Sequence, residues 1–328
     1  MKMRNSKYEL MRILAMMFII LSHFSLYGDW SKKYLFKGMQ FQPLGQIGVY
    51  FFVMISGYFL SSKNLDLLEA LNRSKKIWVK TIFYSWGILL LDLLLKFSNL
   101  NPKSIISSIF PVLSEEYWFI TCFIVLMLLT PVLNWIINSS SKEQLLAYTF
   151  VFMIVVDILP IFKTGNEPLG GILSTSIMVA PYLIAGYIKK YGISIKTIYL
   201  ISIFTIVIAL DYYIMFVFRF NRIGRFTYGI LPLILAVCLF LIIKNSRDFV
   251  SLTINRLSTS VLAAYLISEN PNLRDFIWQH LFNIKRFEST PYFTIIGVVI
   301  VLIILISCCL IDKICAFFIK KLSSMAHK

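Results

Sequence analysis

Apolar residues in this chain neither alternate nor recur on one helical stripe. They come in runs of about 16 to 24, separated by short charged or Pro/Asn-rich stretches, which is the pattern of helices that are apolar all round. A hydrocarbon core is crossed by ~20 such residues. Breaking the chain at its polar stretches predicts about ten spans, near Tyr8–Leu26, Leu44–Leu60, Ile77–Leu95, Tyr117–Ile137, Leu145–Ile161, Leu173–Ile188, Ile195–Val217, Tyr228–Ile243, Ser258–Leu281 and Tyr292–Ile311. Glu269, Asn270 and Pro271 interrupt the ninth, so a broken or re-entrant helix is expected there. No repeat or long linker is visible. Residues 1–328 therefore read as a single all-α, polytopic membrane domain without a separate soluble part.

Composition sharpens this picture. The 328 residues are 58% hydrophobic and only 15% charged, against roughly 45–50% and 25% in an ordinary soluble domain. A water-soluble fold of this length has too few polar side chains here to cover its surface. Sparse Gly and Pro exclude disordered and collagen-like classes. The five cysteines (Cys122, Cys238, Cys308, Cys309, Cys315) lie in or beside apolar runs without CxxC spacing, so neither a disulfide scaffold nor a metal site is expected. The net charge of +16 would suggest nucleic acid in a soluble protein. In a membrane protein it reflects Lys and Arg gathered in cytoplasmic loops: with a cytoplasmic N-terminus and ten spans, 20 of the 32 fall on that side. Both termini are then cytoplasmic, and the bilayer rather than nucleic acid is the expected partner. The first segment resembles a signal peptide, but it lacks an A-x-A cleavage site and keeps Arg12 and His23 inside its apolar run, so it reads as a retained helix.

Arg12 and His23 carry the sharpest chemical signal. Eleven residues at 100° each make three turns plus 20°, so the two share one helix face about 16 Å apart along the axis. Each is costly in hydrocarbon, ~2.5–3.5 kcal/mol for a central Arg, so the stripe is expected to face a protein-lined cavity. Glu9, three residues before Arg12, is placed to pair with it. Arg12 alone also reads as an ordinary interfacial anchor. Histidine occurs elsewhere only at His280 and His327, which makes the register of His23 more telling. On the second segment, Gly45, Gly48, Ser56 and Gly57 allow another helix to approach closely, and Ser56 has a hydroxyl for a ligand or a backbone carbonyl.

Arg12 through His23 resembles the Arg-x10-His signature of the integral membrane acyltransferase-3 family. Phe51-Phe52-Val-Met-Ile-Ser56-Gly57-Tyr58-Phe59-Leu60 is similar to that family's Phe-Phe-x3-Ser-Gly-Phe/Tyr-x-Leu motif. Arg73, Lys75 and Lys76 stand where the family carries basic residues before its third helix, and Tyr117-Trp118-Phe119 resembles its aromatic motif opening the fourth. Tyr265-Leu266-Ile267-Ser268-Glu269-Asn270-Pro271 resembles its Tyr-Leu-Ile-His-x-x-Pro stretch, with Ser268 in place of the family's second His. The region around Glu269–Pro271 is most like relatives from the Gram-positive capsule and exopolysaccharide branch.

The resemblance implies acyl transfer in a bacterial plasma membrane, usually of acetyl from cytoplasmic acetyl-CoA to a hydroxyl of a cell-surface or lipid-linked polysaccharide. No permanently bound cofactor is implied. His23 is expected to act as general base or as acyl relay, with Arg12 on the same stripe. Arg12, Arg73, Lys75 and Lys76 are suited to CoA phosphates, although an ordinary positive loop reads the same way at 73–76. Ser56, Glu116, Trp118 and Glu269 are the candidate acceptor-binding residues; an interfacial belt is the plainer reading of Trp118. Arg219, Arg222 and Arg225 form a basic triplet on the outer side, and Asp92, Asp157 and Asp211 are acids within apolar segments. A transporter, flippase or polymerase of lipid-linked glycans is the competing class, but it calls for neither Arg-x10-His nor the Ser-Gly motif.

Overall fold

The computed structural model describes residues 4–158, 174–217 and 229–326, and every regular element among them is helical. The helices are α1 (Ser6–Leu26), α2 (Gln42–Leu60), α3 (Leu67–Leu95), α4 (Pro102–Ile109), α5 (Trp118–Ser139), α6 (Lys142–Met153), α7 (Ser176–Tyr191), α8 (Thr197–Val217), α9 (Ile230–Asn245), α10 (Leu252–Ser258), α11 (Val261–Ser268), α12 (Pro271–Asp275) and α13 (Phe293–Ala326). Residues 32–41 wind as short helical turns between α1 and α2.

Local sequence explains the starts and stops. Side chains of Asn5, Asp66, Asn101 and Ser141 accept backbone N–H groups at the beginnings of α1, α3, α4 and α6, with reciprocal capping boxes at Asn101/Ser104 and Ser141/Gln144. The expected break in the ninth segment is present. α11 ends at Ser268, Asn270 accepts the N–H of Asn272 at 3.0 Å, and Pro271 opens α12, whose winding loosens into a π-helical stretch at Phe276–Leu281. The third span starts earlier than its apolar run. Asp66 caps α3, which begins at Leu67, ten residues before Ile77, so Arg73, Lys75 and Lys76 lie on a helix rather than in a loop.

Among the described residues, six helical stretches are long and apolar enough to cross a membrane: Ser6–Leu26, Lys32–Leu60, Leu67–Leu95, Trp118–Ser139, Thr197–Val217 and Phe293–Lys321. The other four predicted segments hold shorter helices within the described residues. Leucines and isoleucines such as Leu90, Leu94, Ile206 and Ile295 face outward, more than half exposed, which suits lipid rather than water. With the outside as apolar as the inside, the sequence shows runs instead of an amphipathic period.

α1 and α2 form the centre, packed along one another, and α2 also meets α7 and α9. Small residues set this contact. A Cβ on Gly48 would lie 2.6 Å from the Ala15 carbonyl oxygen, and one on Gly57 would lie 2.9 Å from that of Tyr182, so both positions bring backbones together. Lysines fasten helix ends elsewhere. Lys190 donates to the carbonyls of Ile137, Asn138 and Ser140 at 2.7–3.1 Å, closing the C-terminus of α5. Lys7 donates to Lys244 and Ser246 at the end of α9 and pairs with Asp248 at 2.5 Å.

Candidate active site

His23 lies one turn from the end of α1, 5% exposed, between the tilted rings of Tyr27 and Tyr265 at centroid distances of 5.8 and 6.2 Å. Its Nδ1 is 2.9 Å from Oε2 of Glu269, at the break between α11 and α12. The pair is at ion-pair distance but off the line of a hydrogen bond. The other carboxylate oxygen, Oε1, accepts the Tyr27 hydroxyl at 2.7 Å and lies 3.7 Å from Nη1 of Arg274, which itself donates to the Tyr27 oxygen at 3.1 Å and stacks on its ring. Glu269 is thus steered from one side while its free oxygen faces the imidazole. With Nδ1 turned to the carboxylate, Nε2 is the nitrogen left for other work.

Beside His23 is a cavity of about 50 Å³, lined on α1 by Ile19 and Ser22, on α2 by Gln42 and Gln46, on α5 by Trp118 and Phe119, and on α11 by Tyr265. The end of α1 and the beginnings of α2 and α5 meet here. Close approach of α2 requires Gly45, where a Cβ would lie 2.4 Å from the Ser22 hydroxyl.

The opposite end of α1 holds a second polar cluster. Nη1 of Arg12 donates to both oxygens of Glu9 at 2.7 Å, Ser258 donates to Glu9 at 2.6 Å, and the Arg12 guanidinium sits 5.9 Å above the Phe59 ring. The i,i+3 pairing expected from the sequence is therefore formed, and α10 also locks onto Glu9.

A family model described as an acyltransferase domain matches residues 5–311, nearly the whole chain. The chain belongs to the acyltransferase-3 family. No curated protein and no solved structure matches it. Family membership and the apolar helices together make it a multi-pass membrane acyltransferase.

Within this acyltransferase, the residues singled out by sequence lie in several separate places. His23, Glu269 and Trp118 come together at the cavity end. Arg12 stands at the other end of α1. Arg73, Lys75 and Lys76 lie on α3, which packs on α4, α5, α11 and α12 rather than along α1. Ser56 and Glu116 are held elsewhere. The Ser56 hydroxyl donates to the Phe52 carbonyl at 3.2 Å within α2, well along the helix from Gln46. Glu116 accepts from Ser108 at 3.0 Å and Ser85 at 3.3 Å, and Ser108 accepts from Asn272 at 3.1 Å, so this carboxyl ties α3, α4 and α12 together. Burial pushes it above the ordinary carboxylate range, opposed by those two hydroxyls and the charge of Arg274.

Of the remaining acids, Asp92 accepts Ser98 N–H at 3.0 Å beyond the end of α3, and Asp157 accepts Tyr50 O–H at 3.2 Å. Asp211 is buried on α8. His280 is exposed and stacks on Phe276. Arg219, Arg222, Arg225 and His327 lie outside the described residues. Among the described residues, no three His, Cys, Asp or Glu side chains cluster closely enough to hold a metal ion. Sequence reading missed Gln42, Gln46 and Tyr265 as cavity residues. The one signal was a glutamine inside an apolar run.

Proposed function

We propose that this acyltransferase moves acetyl from cytoplasmic acetyl-CoA to a hydroxyl of a cell-surface or lipid-linked polysaccharide in a bacterial plasma membrane, with His23 as general base. The observation that carries the reading is the imidazole set against Glu269 beside a cavity at the end of α1. A thioester is already activated, so the enzyme needs chiefly to orient the acceptor oxygen, take its proton and stabilise the developing oxyanion. A neutral imidazole suits the proton transfer near neutral pH, worth ~10²–10⁴-fold. Glu269 orients the ring and favours the imidazolium that forms, as the carboxylate does in serine-hydrolase triads. Arg12, about 16 Å away along α1, suits the charged head of CoA, and the separation is comparable to the reach of its pantetheine arm. Trp118 gives a sugar ring an aromatic face to stack on.

The test is deletion of the gene, complementation with wild type and with His23→Ala, and proton NMR of the purified surface polysaccharide. O-acetyl signals should disappear on deletion, return with wild type and stay absent with a normally expressed His23→Ala. An acetyl profile unchanged by deletion would overturn the acetyl-transfer reading.

A further inference from the structure

Gln46 is 3% exposed on α2, and neither its Oε1 nor its Nε2 has a hydrogen-bond partner among the described residues. It lines the same cavity as His23. A primary amide has two donors and two acceptor sites, and burying all of them unmet is strongly unfavourable. Leu or Met would fill this position without that cost. The backbone brings the amide here deliberately, because Gly45 lets α2 approach the Ser22 hydroxyl of α1 at just this level. One turn earlier, Gln42 also turns a buried, unpartnered Oε1 toward the cavity. An unmet amide beside a general base, in a space of about 50 Å³, is suited to a small polar group that arrives only with substrate.

Resting on the acetyl-transfer reading above, we infer that Gln46 is the oxyanion-binding residue of this site: its Nε2–H donates to the acetyl carbonyl oxygen as charge develops there. In the step so defined, the acceptor hydroxyl loses its proton to His23 Nε2 as its oxygen bonds to the thioester carbon. The carbonyl π pair moves onto the oxygen facing Gln46. When that pair returns, the C–S bond breaks and the CoA thiolate takes the proton back from His23, leaving the acetyl ester and CoA thiol. The amide meets no acceptor within the described residues and meets its strongest one in the transition state, which is the condition for raising turnover rather than affinity.

The experiment uses the full-length enzyme purified in detergent, with acetyl-CoA and its polysaccharide acceptor, and compares Gln46→Met and Gln46→Glu with wild type and His23→Ala. Both Gln46 variants should lose about 100-fold in kcat with KM for either substrate changed less than threefold. Without substrate, Gln46→Met should unfold at the same or a higher temperature than wild type, because it removes an amide with no protein partner. Wild-type turnover in Gln46→Met would overturn the assignment, as would a raised KM with unchanged kcat. So would misfolding or a lowered melting temperature of Gln46→Met, which would make the amide a structural hydrogen-bonder. Failure of acetyl transfer by wild type itself would instead overturn the underlying reading, so the two failures are separable.

Discussion

The two oxygens of the Glu269 carboxylate face different neighbours. Tyr27 and Arg274 occupy Oε1, and the imidazole of His23 faces Oε2. Glu269→Gln preserves the size of the side chain and removes the charge that the imidazolium would meet. Its kcat is expected to fall on the order of 10²- to 10⁴-fold with little change in KM, measured as acetyl transfer by the purified variant. Glu116 makes a contrasting case. Burial raises its proton affinity in the folded chain above that in the unfolded chain. Its contribution is therefore most favourable at pH below the ordinary carboxylate value of ~4.3 and is lost as pH rises through the raised value. The melting temperature of Glu116→Gln should gain on that of wild type from acid toward neutral pH, measured by thermal unfolding across that range. A difference that stays constant or turns against the variant as pH rises would contradict the assignment of burial as the dominant cause.

The contact between α1 and α2 depends on absence of side-chain bulk. Gly48→Val places a branched side chain against the Ala15 carbonyl and Ile19, where backbone has to move. A loss of about 1–3 kcal/mol is expected, seen as a lower melting temperature, together with lost transfer activity as Gln46 is carried away from His23. Gly87 on α3 is the control, because a Cβ there meets nothing within 4 Å. Gly87→Ala should stabilise by up to ~1 kcal/mol and leave activity intact. Elements of this kind were legible in the sequence for a simple reason: every long apolar run had to become a helix, and Asn270-Pro271 had to interrupt one. The Glu9–Arg12 pair was legible as well, since i,i+3 neighbours meet on any helix. The place of Glu269 against His23 was not legible, because it depends on docking segments 246 positions apart in sequence. Gln46 looked unremarkable until the burial of its amide and the missing partners were visible together. The start of α3 was misjudged because hydropathy marks where a helix becomes apolar, whereas Asp66 marks where it begins.

Across the whole molecule, basic residues do more than set orientation. Lys7 and Lys190 bind the carbonyl ends of α9 and α5, so part of the +16 charge is spent on closing helices. On α1 the polar clusters lie toward the two ends, Arg12 and Glu9 at one and His23 with Glu269 at the other, joined by a stretch that is apolar. The cavity between α1, α2, α5 and α11 has a further consequence. On the acetyl-transfer reading, a space of about 50 Å³ walled by Ile19, Phe119 and Tyr265 would limit the length of the donor's carbon chain. Acetyl, propionyl and butyryl thioesters should therefore be used in that descending order, each added methylene lowering kcat/KM by roughly 10- to 200-fold. Competition among the three donors would measure it, and equal use would show that this wall yields.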